Sequence, residues 1–183
     1  VLAHKVLQDR AANAPDQLRA LTDTDARRSE HGAYYEGYLL DVLLDAATLL
    51  QNLAMPITLD IEPVQPDVVA RVVRLAGDAG IAEALLDRPI AALGPAVRAR
   101  AHLVRAIALD PSLLIMEHPT VGFAPGEGKA FGETVASVAA GRALATLIIS
   151  EDAAFSEAAA TRRLALNGAT GDLKPKRRGF FGF

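Results

Sequence analysis

The chain contains no cysteine. That excludes a disulfide scaffold, a thiolate-ligated zinc site and thiol catalysis. Histidine is scarce: His4, His31, His102 and His118 are the full set, and no two stand at the i, i+4 spacing of a helical metal site. Long apolar runs are also missing. The longest such stretch, residues 37–57, is interrupted by Asp41, Asp45 and Gln51, so no helical membrane span is expected. No secretory signal pattern is visible, and a cytoplasmic location is the expectation. The first residue is Val1 rather than an initiator Met, and residues upstream of it are expected to be absent from the sequence.

What is present is globular composition: 183 residues, 51% hydrophobic and 22% charged, enough chain for a sizeable core. The net charge of −3 conceals an asymmetry. From Arg162 onward six basic residues face a single acid, Asp172, which leaves residues 1–161 with a net charge of −8. An acidic body with a basic end argues against nucleic acid as a partner of the body.

Periodicity and punctuation suggest the elements. A short strand is expected at His4–Asp9 and a polar helix over residues 10–30, with Pro15 and Asp16 near its start. All three tyrosines, Tyr34, Tyr35 and Tyr38, fall within five positions. A helix is expected from Asp41 to Leu53, stopping at Pro56, and residues 63–66 read as a linker. Val68, Val69, Val72, Val73, Leu75 and Ala76 recur near a 3.6 period and predict an amphipathic helix starting at Asp67. A short helix over 80–88 and another over Ala96–Leu109 follow, the second ending before Pro111. Leu113–Met116 and Leu144–Ile149 read as strands buried on both faces. Between them Gly126–Ala140 is helical, closed by Gly141; Ala153–Ala160 is a short helix, and Arg163–Leu166 a strand before an Asn167-Gly168 turn. Helices alternating with apolar strands predict an α/β domain with a mainly parallel sheet.

Residues 93–120, LGPAVRARAHLVRAIALDPSLLIMEHPT, resemble the core of the ABC-transporter ATPase family. There one expects LSGGQ, a basic helix, an apolar strand and Asp-Glu-Pro-Thr. Leu93, Arg98, Arg100, Arg105, Ala106, Asp110, Pro111, Leu113, Leu114, Pro119 and Thr120 keep the register. Gln51–Pro56 is similar to the segment after the family's Q-loop, 121–125 to its D-loop, and 147–152 to the strand of its switch histidine; residues 164–168 resemble the strand and turn that follow. The resemblance implies a P-loop NTPase-like fold in two lobes: a core lobe of residues 1–59 and 101–173, and a helical insert of 60–100, with 174–183 as a basic, aromatic tail. It also implies a dimer, with itself or a paralogous ATPase, that sandwiches ATP and Mg²⁺ between one subunit's phosphate loop and the other's signature, and a membrane permease as partner.

The residues that would carry that chemistry are changed one by one. The phosphate-loop pattern GxxxxGK[ST] is absent; the only Gly-Lys pair is Gly128-Lys129, followed by Ala130. Its loss is equally compatible with truncation before Val1. The signature reads Leu93, Gly94, Pro95, Ala96, Val97: Gly94 lacks the serine hydroxyl, Pro95 lacks an N–H and Val97 supplies no polar end. Glu117 stands where the resemblance puts the Walker B aspartate, a weak Mg²⁺ ligand at best. His118 stands at the catalytic-base position, and Glu151 replaces the switch histidine with a negative charge. The Q-loop glutamine becomes Glu36 or Asp41, a carboxylate either way. Taken singly each change has a bland reading, His118 as a structural histidine and Glu117 as a solvated acid. As a set they point to a chain defective in both halves of the composite site, which would impair both sites of any dimer.

The leading expectation is a non-catalytic subunit with a structural or regulatory role in a membrane transport complex, held at the inner face of the membrane, with no cofactor. The alternatives are an active divergent ATPase whose phosphate loop lies upstream, and a soluble scaffold. Tyr34, Tyr35 and Tyr38 lie in the segment that the resemblance assigns to permease docking, with burial in the core as the other reading. The tail KPKRRGFFGF, with Lys176, Arg177, Arg178, Phe180, Phe181 and Phe183, has two destinations beside a frayed end: a partner's groove, which is favoured, or a lipid headgroup region.

Overall fold

The computed structural model describes residues 43–167 and 169–176. The expected strand at His4–Asp9, the helix over 10–30, Tyr34, Tyr35, Tyr38, Glu36, Asp41, and Arg177, Arg178, Phe180, Phe181 and Phe183 lie outside these residues.

The first helix, α1, is Leu49–Ala54, shorter than the expected Asp41–Leu53. Thr48 and Gln51 form a reciprocal cap: the Thr48 hydroxyl accepts the Gln51 N–H at 3.2 Å, and the Gln51 side chain accepts the Thr48 N–H at 2.9 Å. Residues before Thr48 are kept out of the helix by Asn52, which is fully buried. Its Oδ1 accepts the Leu44 N–H at 2.8 Å, and its Nδ2 donates to the Leu44 and Thr48 carbonyls at 3.1 and 2.9 Å.

Helix α2 is Pro66–Asp78, with Pro66 preset for the first turn and Asp67 beside the positive helix end. It buries Val68, Val72, Leu75 and Ala76, the face read from the sequence. Gly80, at φ +71°, turns the chain away. The helix expected over 80–88 is a single 3₁₀ turn at Glu83–Leu85, followed by another at Ile90–Ala92. Helix α3, Pro95–Ile107, stops three residues before Asp110, which holds a left-handed backbone at φ +49°. Helices α1, α2 and α3 pack on one another.

Strands β1 (Leu113–Glu117) and β2 (Ala145–Ile149) are parallel, in register from Leu113↔Ala145 to Glu117↔Ile149. Helix α4, Glu127–Gly141, makes the crossover, as a parallel pair requires. Helix α5, Ala153–Ala159, packs closely on α4. Gly132 permits that approach, because a Cβ there would lie 2.6 Å from the Phe155 carbonyl oxygen and 2.8 Å from Ala158 Cβ. Phe131 stacks on Phe155 in the same interface, centroids 5.6 Å apart.

The two strands are not buried on both faces, contrary to expectation. Leu114 and Met116 enter the core, whereas Ile115 is 48% and Ile149 41% exposed. Among the described residues only one face of the pair is covered. The strand at the chain's C-terminal side, β3 (Leu164–Leu166), has an antiparallel partner that the sequence reading missed, β4 (Leu173–Pro175), so ordered structure crosses the expected body–tail boundary at 173/174. The buried side chains of α1 through α5 and β1 form one continuous core.

Candidate functional site

In a parallel sheet the chemistry gathers at the carboxyl ends of the strands. Here β1 ends in Glu117-His118, and β2 leads through Ser150 to Glu151 and Asp152. The His118 N–H donates to the Ile149 carbonyl at 2.8 Å, which joins the two strand ends. His118 takes a left-handed backbone, φ +46°, and opens two consecutive turns. Its carbonyl accepts the Val121 N–H at 3.2 Å across Pro119-Thr120, and the Thr120 carbonyl accepts the Phe123 N–H at 3.1 Å across Val121-Gly122. Gly122 at φ +80° supplies the conformation the second turn needs.

Glu117, His118 and Glu151 are all exposed, at one end of the strand pair. Asp152 is committed to structure: its Oδ1 accepts the Phe155 N–H at 2.9 Å and caps α5. Among the described residues no group of three His, Cys, Asp or Glu side chains converges as a metal-ion cage.

The signature positions occupy the start of α3. Leu93 closes the 3₁₀ turn, Gly94 is the N-cap without a capping side chain, and Pro95 is the first helical residue. The Val97 and Arg98 N–H groups both turn back to the Gly94 carbonyl at 3.1 Å. Of the amides a phosphate would meet, Pro95 has none and that of Val97 is already bonded. No acidic or hydroxyl side chain stands in this first turn, which is Pro95, Ala96 and Val97. The helix start offers an anion few N–H donors, and the strand ends carry the carboxylates of Glu117 and Glu151.

Gly128-Lys129 is no phosphate loop. Gly128 lies in the first turn of α4, with the Asp152 carboxylate where its side chain would be. Glu127 Oε2 accepts the Ala124 N–H at 2.8 Å and holds that helix start.

Arg98 and Arg100, two of the arginines kept from the resemblance, work as struts. Arg98 donates to the Leu93 and Ile90 carbonyls, each at 3.1 Å, and pairs with Asp45. Arg100 donates to the Ala79 carbonyl at 2.7 Å and to Thr134 Oγ1 at 2.9 Å, and lies over the Phe131 ring. Burial pushes its guanidinium below the ordinary arginine range, and the Glu127 charge works against that shift. Asn52 was legible only as part of the QNLAMP resemblance. Its signal was an amide beside Gln51, between the buried Leu49 and Leu53.

No protein-family model matches the chain, and no curated protein sequence matches it. Solved structures do. The chain is similar to the dimeric ATP-binding cassette MJ0796 in a post-hydrolysis state bound to ADP and phosphate, at TM-score 0.53 and 15% identity, over 63% of this chain and 51% of that one. It is similar to cbiO1 from Clostridium perfringens, part of the ABC transporter complex cbiONQ, at TM-score 0.52 and 21% identity, over 62% and 44%. A nucleotide-free ATP-binding cassette from an ABC transporter matches at TM-score 0.51 and 20% identity, over 62% and 49%. The chain spans about half the length of the cassettes it matches. The expected fold is therefore the observed one: mixed helix and strand around a parallel pair, of the ATP-binding cassette type.

Proposed function

We propose that the chain is a non-catalytic subunit of the ATP-binding cassette type, with a structural or regulatory role in a membrane transport assembly. The observation that supports it above the others is the start of α3. Pro95 occupies the first helical position and Val97 bonds back to Gly94, so the segment corresponding to the signature offers an anion few donors. His118 and Glu151 extend the loss to the strand ends. On this reading the scaffold is kept for docking. The dimer partner is a second copy or a paralogous ATPase, and the larger partner is a permease, through which the chain is held at the membrane's inner face. Tyr34, Tyr35 and Tyr38 are the proposed permease contact, because tyrosine combines a large contact area with a polar handle.

Affinity purification from detergent extracts, with identification of co-purifying membrane subunits, tests the reading. A permease recovered with the wild-type chain and lost with Tyr35→Ala or Tyr38→Ala, at unchanged melting temperature, supports it. Recovery of the chain alone favours the scaffold reading.

A further inference from the structure

The connection from β3 to β4 carries the pair Asn167-Gly168, which the proposed function does not use. Asn167 follows β3 directly and is exposed. Its main chain closes the hairpin: its N–H donates to the Asp172 carbonyl at 2.8 Å, and its carbonyl accepts the Gly171 N–H at 2.7 Å. Its side-chain amide is held at one end. Oδ1 accepts the Ala169 N–H at 3.0 Å, two residues on, whereas Nδ2 donates to no group among the described residues. The Ala169 N–H draws electron density from Cγ and makes that carbon a better electrophile. The ring closed by this bond runs through Cγ and the peptide bond to Gly168, so the amide is fixed relative to the main chain. Nδ2, as a leaving group, has no acceptor to hold it. Glycine as the next residue has no Cβ to shield its main-chain nitrogen. Neither other asparagine combines these features: Asn52 is fully buried with both amide atoms bonded, and Asn13 precedes Ala14.

From these observations, and independently of the transporter reading, we propose that Asn167 is a site of spontaneous deamidation, and that the modification opens the β3–β4 turn as the molecule ages. The main-chain nitrogen of Gly168 forms a bond to the Asn167 Cγ. The Cγ–Nδ2 bond breaks, and ammonia departs with the proton of the Gly168 N–H. Water then opens the cyclic succinimide. Addition at Cγ gives aspartate; addition at the main-chain carbonyl gives isoaspartate, whose chain runs on through Cβ and Cγ. The reaction needs only water and a base from the solvent. Either product adds a negative charge to a turn that already holds Asp172, whose carboxylate accepts the Thr170 hydroxyl at 2.8 Å. Isoaspartate does more. The carbonyl that accepted the Gly171 N–H becomes a carboxylate outside the main chain, and the path from Asn167 to Asp172 lengthens by one carbon. The hairpin has three residue pairs, and so short a hairpin is marginal without its closing turn.

The test is peptide mapping by mass spectrometry of the full chain kept in warm, mildly alkaline buffer, with isoaspartate detected by enzymatic methylation. A synthetic peptide of residues 163–172 in the same buffer sets the chemical time scale. Asn167 in the full chain is expected to convert within about tenfold of the peptide's rate, faster as pH rises, while Asn13 and Asn52 stay intact. Gly168→Val should slow the conversion at least about tenfold, because a branched side chain crowds the attacking nitrogen. Gly168→Ala, the smaller change, should slow it in the same direction and covers the case in which valine disturbs the turn. The aged fraction, separated by its added charge on an anion exchanger, should show faster hydrogen exchange at the Gly171 and Lys176 amides, which the hairpin bonds protect in the fresh chain. An Asn167 still intact when the peptide has fully converted overturns the proposal, as does conversion at full rate in both Gly168 variants. Unchanged exchange in the aged fraction overturns the opening of the turn.

Discussion

Pro95 lies against Gly122: a Cβ on Gly122 would sit 3.5 Å from both Cβ and Cγ of the proline ring. The start of α3 and the turn after β1 thus support each other within one chain. The contact leaves Gly122 room for a methyl group, but its φ of +80° does not favour one. Gly122→Ala should cost about 1–2 kcal/mol through backbone strain, read from denaturant midpoints. An unchanged midpoint would show that the turn relaxes freely.

Gly94 offers the opposite case. A Cβ there meets nothing within 4 Å, and its backbone is extended, as an N-cap should be. Gly94→Ser should therefore stabilise the chain by a few tenths of a kcal/mol, by satisfying an amide at the start of α3. The same change should not create ATP hydrolysis, because Pro95 still lacks its N–H. Mg²⁺-dependent phosphate release above background from this variant would count against the proposed function.

Phosphate release by the wild-type chain is expected at background level, with and without Mg²⁺. His118→Glu should leave it there, since Glu151 and Pro95 remain. The decisive contrary result is wild-type turnover that is abolished by His118→Ala.

Asn52 is, with Arg105, one of two buried polar side chains among the described residues. Asn52→Ala removes the acceptor of the Leu44 N–H and the donor to the Leu44 and Thr48 carbonyls, from a side chain that is itself fully buried. The loss should be about 2–3 kcal/mol in urea unfolding, with amides around Leu44 exchanging faster than the rest. Asn52→Leu should do no better, because the orphaned groups remain.

Two glycines of α4 separate packing from propensity. Gly132→Ala drives a methyl into the Phe155 carbonyl and Ala158 and should destabilise by about 1–3 kcal/mol. Gly141→Ala, at the last turn with open space around it, should be neutral or stabilising by up to about 1 kcal/mol. Thermal melts of the two single variants check the contrast.

The helices α2, α3 and α4 were legible because each has a periodic apolar face and a proline or glycine at an end. Strands β1 and β2 were legible as short apolar runs, though not the exposure of Ile115 and Ile149, which depends on what lies over the sheet rather than on the strand itself. The helix expected from Asp41 starts only at Leu49, because the Asn52 amide holds the Leu44 backbone outside it, a contact that comes from packing rather than pattern. Strand β4 was missed because Leu173-Lys174-Pro175 is too short for a pattern and exists through its pairing with β3. At the site, the family resemblance put His118 and Glu151 after two neighbouring strands, and both residues follow the ends of the parallel pair. It could not show that Val97 spends its N–H on Gly94, or that Gly128 serves the α4–α5 contact, since both are consequences of packing.

Arg142, just past α4, bonds Asp78 of α2 at 3.4 Å and Asp110 at 3.3 Å, and Arg71 reaches Asp110 at 3.6 Å and the Ala108 carbonyl at 2.6 Å. The Arg142 pairs join residues 64 and 32 positions apart. Closing such long loops costs entropy that the ion pairs alone do not repay, so these bonds form late, after helices and strands have met. Their kinetic signature follows: Arg142→Gln should leave the refolding rate nearly unchanged and accelerate unfolding, which makes this bracket a brake on opening rather than a guide to folding.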